Sequence, residues 1–185
     1  MAASNTSKEH LLEGFRAVAI NTLPRGLTFN PSAWALRLPI LALALAGFCV
    51  ASYLMLYQLG VMKTVWEPFF GDGSRKVLHS FISRLLPVPD AALGASGYFA
   101  EFLVGIVGGS ERWRTMPWMV ILYGAIVASV SATAIGLALV QGLVIHAGCT
   151  LCLTSAAISI VIAGLARREV FASVALIKER RSHNH

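Results

Sequence analysis

Long apolar runs separated by short polar segments set the plan of this chain. From Ala33 to Met62 the run AWALRLPILALALAGFCVASYLMLYQLGVM contains one charged residue, Arg37, and is long enough for a tilted membrane helix. A second run, about Asp90 to Gly108, opens on the helix-start signals Pro89 and Asp90 and carries Gly94, Gly97, Gly105 and Gly108, small residues suited to close helix packing. Met116 to Ile145 forms a third, rich in Ala, Ser and Gly. A fourth begins at Cys149 and ends near Ala166, where Arg167 and Arg168 stop it. Each run meets the roughly 20 apolar residues needed to cross a hydrocarbon core of about 30 Å.

The one long polar break between runs, Lys63 to Pro89, has a pattern of its own. Val77, Leu78, Phe81, Ile82, Leu85 and Leu86 recur at helical spacing among Arg75, Lys76, His79, Ser80 and Arg84, which predicts a helix over Ser74 to Leu86 lying on the membrane surface. Trp66, Phe69 and Phe70, just before it, suit interfacial anchoring. The pattern as a whole predicts an all-α integral membrane protein. Its core is a four-transmembrane-helix bundle over 33–166, with an extracytoplasmic loop carrying a short interfacial helix. An arm over 1–32, with a short amphipathic stretch around His10 to Ile20, precedes it, and a basic tail over 167–185 follows.

Composition and charge add an orientation. With 56% hydrophobic and 13% charged residues the chain is too apolar for an ordinary soluble domain. The net charge of +6 is not a nucleic-acid signature, because the cations cluster at the ends of apolar runs. With both termini cytoplasmic, the inner segments hold eleven Lys and Arg and the outer segments four, as the positive-inside rule requires. The first thirty residues carry scattered charge and lack the apolar core of a signal peptide, so the first membrane helix is expected to direct its own insertion. Arg37 is expected to snorkel toward the cytoplasmic interface, with Trp34 and Tyr57 in the two interfacial belts.

The chemistry lies in His146-Ala-Gly-Cys149-Thr-Leu-Cys152-Leu-Thr-Ser, where two thiols three residues apart open the fourth run. In a helix, positions i and i+3 share a face, so Cys149 and Cys152 can close into a disulfide. The unpaired N–H groups of a first helical turn should make Cys149 rich in thiolate at neutral pH. The chosen orientation puts this pair on the exterior or periplasmic side, where disulfides persist. Leu153 after the second Cys excludes c-type haem attachment. His146, Cys149 and Cys152 also form a soft-metal donor set, a competing reading. Cys49, mid-run, reads as a packing residue. Glu101, inside the second run, reads equally as a paired structural carboxylate or as a proton-handling group.

CTLCLTSA at the start of the last run, VLHSFISRLLPVPDAALGASGYFAEF leading into the second, and the order of four spans with a long first outer loop together resemble the vitamin K epoxide reductase family. The resemblance is to its small bacterial members without a fused thioredoxin-like domain, and it covers about Ala33 to Ala166. It implies a bundle around a quinone, ubiquinone or menaquinone, in the bacterial inner membrane. Cys152 would then be the quinone-proximal thiol and Cys149 the one that exchanges with an incoming thiol. Ser80 matches a hydroxyl residue near the active cysteines, with His79 and His146 as further quinone-site candidates. The family's paired loop cysteines are absent: Ser74 stands where one is expected, and Ala156 replaces a tyrosine of animal members. The function this implies is a membrane thiol:quinone oxidoreductase that takes electrons from an extracytoplasmic thioredoxin-like or secreted thiol protein. The alternative is a non-catalytic accessory subunit of a larger membrane complex.

Overall fold

A computed structural model describes residues 30–78 and 89–183. The arm with its His10 to Ile20 stretch, the later part of the expected surface helix, and His79 and Ser80 lie outside the described residues. All regular structure among the described residues is helical: α1 (Trp34–Gln58), α2 (Gly73–Leu78), α3 (Asp90–Ile106), α4 (Arg112–Thr115), α5 (Pro117–Val140) and α6 (Thr150–His183). A π-helical turn, Gln141–Ile145, extends α5. Three segments are long and apolar enough to cross a membrane: Trp34–Gln58, Pro117–Ile145 and Thr150–Ser182. The fourth long helix, α3, has 17 residues and packs among them.

The four long helices form a closed ring in which α1 packs on α3, α3 on α5, α5 on α6 and α6 on α1. Ile40, Ala44, Ala51, Ala95, Tyr98, Tyr123, Val127, Ile162 and Ala166 make the shared core. The glycines of α3 serve the close packing their sequence implies. A Cβ at Gly97 would lie 2.6 Å from Val130 Cγ2 and one at Gly105 2.7 Å from Leu41 Cδ2, so side chains of α5 and α1 rest directly on the bare backbone of α3. Leu45, Leu139, Ile160 and other large apolar side chains are exposed on the outside of the ring. That is the surface of a protein solvated by lipid.

One end of the ring is closed by buried charge. Helix α3 leaves its last carbonyls without helical partners, and two guanidiniums fill the gap. Arg112 donates from Nη1 to Val104 O (3.0 Å), Gly105 O (3.1 Å) and Val107 O (3.0 Å), and from Nε and Nη2 to the two carboxylate oxygens of Glu169 (2.6 and 2.7 Å). Arg37 donates to Gly108 O (2.8 Å), Val107 O (3.1 Å) and Gly105 O. The Ser32 hydroxyl also donates to Glu169.

Several expectations are corrected here. Arg37 does not snorkel: it is buried, because α3's free carbonyls offer it more than the interface does. Tyr57 is buried in the core as well, while Trp34 stays exposed with the Arg37 guanidinium 4.2 Å from its ring centre. Cys49 is exposed on the outside of α1 and packs no core. Arg167 and Arg168 do not end the last helix, which runs on to His183. At 1.5 Å per residue α6 is roughly 50 Å long, well beyond a hydrocarbon core of about 30 Å, so the arginines mark where the apolar stretch stops and not where the helix does.

Two outcomes follow. Arg112→Met leaves Glu169 buried without its cation and should cost about 3–5 kcal/mol, much of it recovered in Arg112→Met/Glu169→Met, as read by thermal unfolding in detergent. Glu101 is 1% exposed and neither carboxylate oxygen has a hydrogen-bond partner among the described residues. Glu101→Met should therefore be neutral or stabilising in the same measurement, since it removes a buried polar group that nothing satisfies.

Candidate functional site: a capped dithiol beside an apolar cavity

The opposite end of the ring holds the CxxC. Leu153 N–H donates to Cys149 O (3.0 Å), the first bond of α6, so Cys149 is the residue that caps the helix. Its Sγ accepts from Cys152 N–H at 3.2 Å, as a serine or aspartate oxygen does at this position. The thiol is therefore held by the helix's own free donors. Cys149 N–H donates in turn to Gln141 Oε1 (3.2 Å), which fixes the turn between α5 and α6.

The loop between α1 and α3 supplies the second cap. Thr150 N–H donates to Glu67 Oε2 (3.0 Å), and the hydroxyls of Thr150 and Ser74 both donate to the same carboxylate. Burial works against the Glu67 anion, but the bonds from Ser74 and Thr150 outweigh it and hold the carboxyl below its ordinary range. Ser74, where the resemblance leads one to expect a cysteine, is fully buried, and its hydroxyl beside Cys149 favours the thiolate. The loop comes this close because Gly148 has no side chain: a Cβ there would lie 2.6 Å from the Phe70 ring, and one at Gly73 2.1 Å from Gly148 O.

Cys149 and Cys152 are free thiols in hydrogen-bond contact with one another. The Cys149 thiol is lowered to about 7. The Cys152 thiol donating to it is the largest cause; burial opposes, Ser74 and the Cys152 N–H assist, and the Glu67 charge opposes. The lowering has the sign expected of a helix N-terminus, though the neighbouring thiol contributes more to it than the helix does. Cys149 is 0% exposed, covered by the loop.

Cys152 faces elsewhere. It lines a cavity of about 310 Å³ between α1, α3, α5 and α6, at the lower end of the roughly 300–1,000 Å³ of small-molecule sites. Leu54, Val77 and Leu137 supply apolar wall, and Tyr98, Ser155 and Ser159 polar groups. Tyr98 donates its hydroxyl to Ser155 O (2.6 Å) and lies within hydrogen-bond distance of Ser159 Oγ (2.6 Å) and Ser155 Oγ (3.0 Å). An apolar slot with the Ser155 and Ser159 hydroxyls and one thiol on its wall is compatible with a ring that carries hydrogen-bond acceptors, such as a quinone.

Of the residues singled out in the sequence, the structure brings together Cys149 and Cys152. His146 is exposed, in a left-handed backbone conformation (φ 50°), and is not part of the cavity lining. Among the described residues, no three His, Cys, Asp or Glu side chains gather as metal ligands do. Glu67, Tyr98 and Gln141 are the residues that sequence reasoning passed over or left without a role. Tyr98 had a signal: the one tyrosine of α3, facing Ser155 and Ser159, which lie one helical turn apart. Glu67 had only its place among Trp66, Phe69 and Phe70.

An all-helical membrane protein with a capped dithiol at one end of its bundle and an apolar cavity beside the second thiol is the class that fold and site define. The family model of the vitamin K epoxide reductase family matches residues 38–166, and the chain belongs to this family. No curated protein matches the chain. Family members act with quinones and, in general, as membrane thiol–quinone oxidoreductases.

The site carries a pH prediction. Alkylation of Cys149, followed at the level of its peptide by mass spectrometry, should titrate with a midpoint near 7. In Cys152→Ala the thiol donor is lost and the midpoint should move upward, so that less thiolate is present at neutral pH.

Proposed function

We propose that the protein is a membrane thiol:quinone oxidoreductase of the bacterial inner membrane. All four long helices, α3 included, cross the bilayer; both termini are cytoplasmic and the CxxC lies on the periplasmic side. The observation that carries this reading is the division of labour between the sulfurs, one thiolate-rich at the outer loop and the other on the wall of the cavity. Tyr98, Ser155, Ser159 and Cys152 would hold the quinone ring and Leu54, Val77 and Leu137 enclose it. A bound quinone supplies a two-electron, two-proton acceptor.

The protein's own part is thiol chemistry. In the oxidised state, a thiolate of an extracytoplasmic partner attacks Cys149 Sγ, the Cys149–Cys152 bond breaks, and Cys152 leaves with the electron pair and takes a proton. The partner's second thiolate then attacks the partner sulfur of the mixed disulfide. Cys149 departs as thiolate, which its depressed pKa makes a good leaving group. The partner ends as a disulfide and this chain as a dithiol, with two electrons held at the cavity wall. Because Cys149 is buried, the outer loop around Phe70 must move for the first step.

Purified protein given a reduced thioredoxin-like protein and a short-chain ubiquinone or menaquinone should catalyse quinone reduction, followed by absorbance. Cys149→Ser and Cys152→Ser should each fall to the uncatalysed rate. Unchanged turnover in either variant overturns the mechanism. An accessory-subunit role predicts instead an inert dithiol in the unmodified protein.

A further inference from the structure

We propose that Glu67 is a positioning residue for Cys149: it pins the outer loop over the thiol and, in the same place, sets a negative charge against it, so that access and reactivity are released together when the loop opens. This deepens the thiol-exchange half of the function above and is independent of its quinone half.

The geometry has two parts. Glu67 accepts from Ser74 on its own loop and from both the N–H and the hydroxyl of Thr150 at the head of α6. These bonds are the polar connection between loop and redox helix, and they lie on either side of Cys149, which follows Gly148 beneath Phe70. Hydrogen bonds to a carboxylate are stronger than neutral ones, so the loop stays closed unless something displaces Glu67.

The second part is charge. Among the described residues, the groups facing Cys149 are Cys152 from α6, Glu67 and Ser74 from the loop and Gln141 from the π-helical turn. Asp90, at the head of α3, reaches Cys152. Of those facing Cys149, Glu67 is the anion, and it disfavours the thiolate that Cys152 and the helix N-terminus favour. While the loop is shut, Cys149 is both covered and restrained. A partner that lifts the loop carries Glu67 away, exposes the sulfur and leaves it to the helix's free N–H groups. Small thiols and oxidants that cannot lift the loop meet a shielded thiol.

The test is the pH profile of iodoacetamide alkylation of Cys149 in the full-length reduced protein, read on its peptide by mass spectrometry. The alkaline plateau reports access and the midpoint reports acidity. Glu67→Gln should raise the plateau by roughly tenfold or more, the effect of losing a hydrogen bond to a charged group, and shift the midpoint downward. Ser74→Ala keeps the charge but loses a bond to the carboxylate and the hydroxyl beside the thiol that favours its ionisation. It should raise the plateau and shift the midpoint upward. Glu67→Asp should return both quantities toward wild type. An unchanged plateau in Glu67→Gln, or midpoints that move the same way in both variants, overturns the proposal. A rise in plateau accompanied by loss of the cooperative thermal transition does so too. Failure of quinone turnover in the preceding section leaves these outcomes unaffected.

Discussion

The first turn of α6 is the constraint on which the rest of the site depends. A helix that begins inside a protein must find acceptors for its free N–H groups, and here two come from groups with chemical work to do. Cys149 Sγ takes the Cys152 N–H and Glu67 takes the Thr150 N–H. The same bonds that start the helix favour a thiolate, bring its partner thiol into contact and hold the loop between α1 and α3 down. Capping, acidity and cover are one set of interactions seen from three sides.

The other end of the ring answers the same problem with the opposite charge. There the free groups are the last carbonyls of α3, and Arg37 and Arg112 meet them, with Glu169 and Ser32 completing the cluster. Buried guanidiniums would be costly alone; against a helix C-terminus and a bidentate carboxylate they are compensated. The bundle therefore has a basic seal at one end, an acid-and-thiol cap at the other, and an apolar middle. Glu101 departs from this economy, since it is buried between the two without a hydrogen-bond partner among the described residues.

Much of this was legible from the chain alone where the signal was local. The apolar runs located all four long helices, and the three-residue spacing of Cys149 and Cys152 put both thiols at the start of the last one. Gly97 and Gly105 announced close packing, and the family followed from motifs around the same residues. What was not legible depended on contacts far apart in sequence. Glu67 meets Thr150 across 83 positions and Arg112 meets Glu169 across 57, and no periodicity links them. Arg37 read as an interfacial cation because nothing nearby in sequence shows that carbonyls some seventy residues away would bind it. Arg167 and Arg168 misled for a different reason. Hydropathy marks the edge of the bilayer, whereas arginine is a good helix former and lets α6 continue past it.

The absence of loop cysteines looks different once Ser74 is placed. A missing relay thiol suggested either direct exchange with a partner or a dithiol that no longer turns over. Yet Ser74 is not a vacated position: its hydroxyl donates to Glu67, which also holds the head of α6, so the loop is fastened over the thiol it covers. A thiol whose acidity is raised by its neighbour, under a fastened cover and with that neighbour on the wall of an apolar cavity, suits the exchange proposed above. Each of those features has a cost: a buried sulfur close to ionisation, a carboxylate set against it, and unfilled space where packing would stabilise. Their coincidence at one helix end is what favours direct exchange between Cys149 and an incoming thiol over a relict of a lost activity.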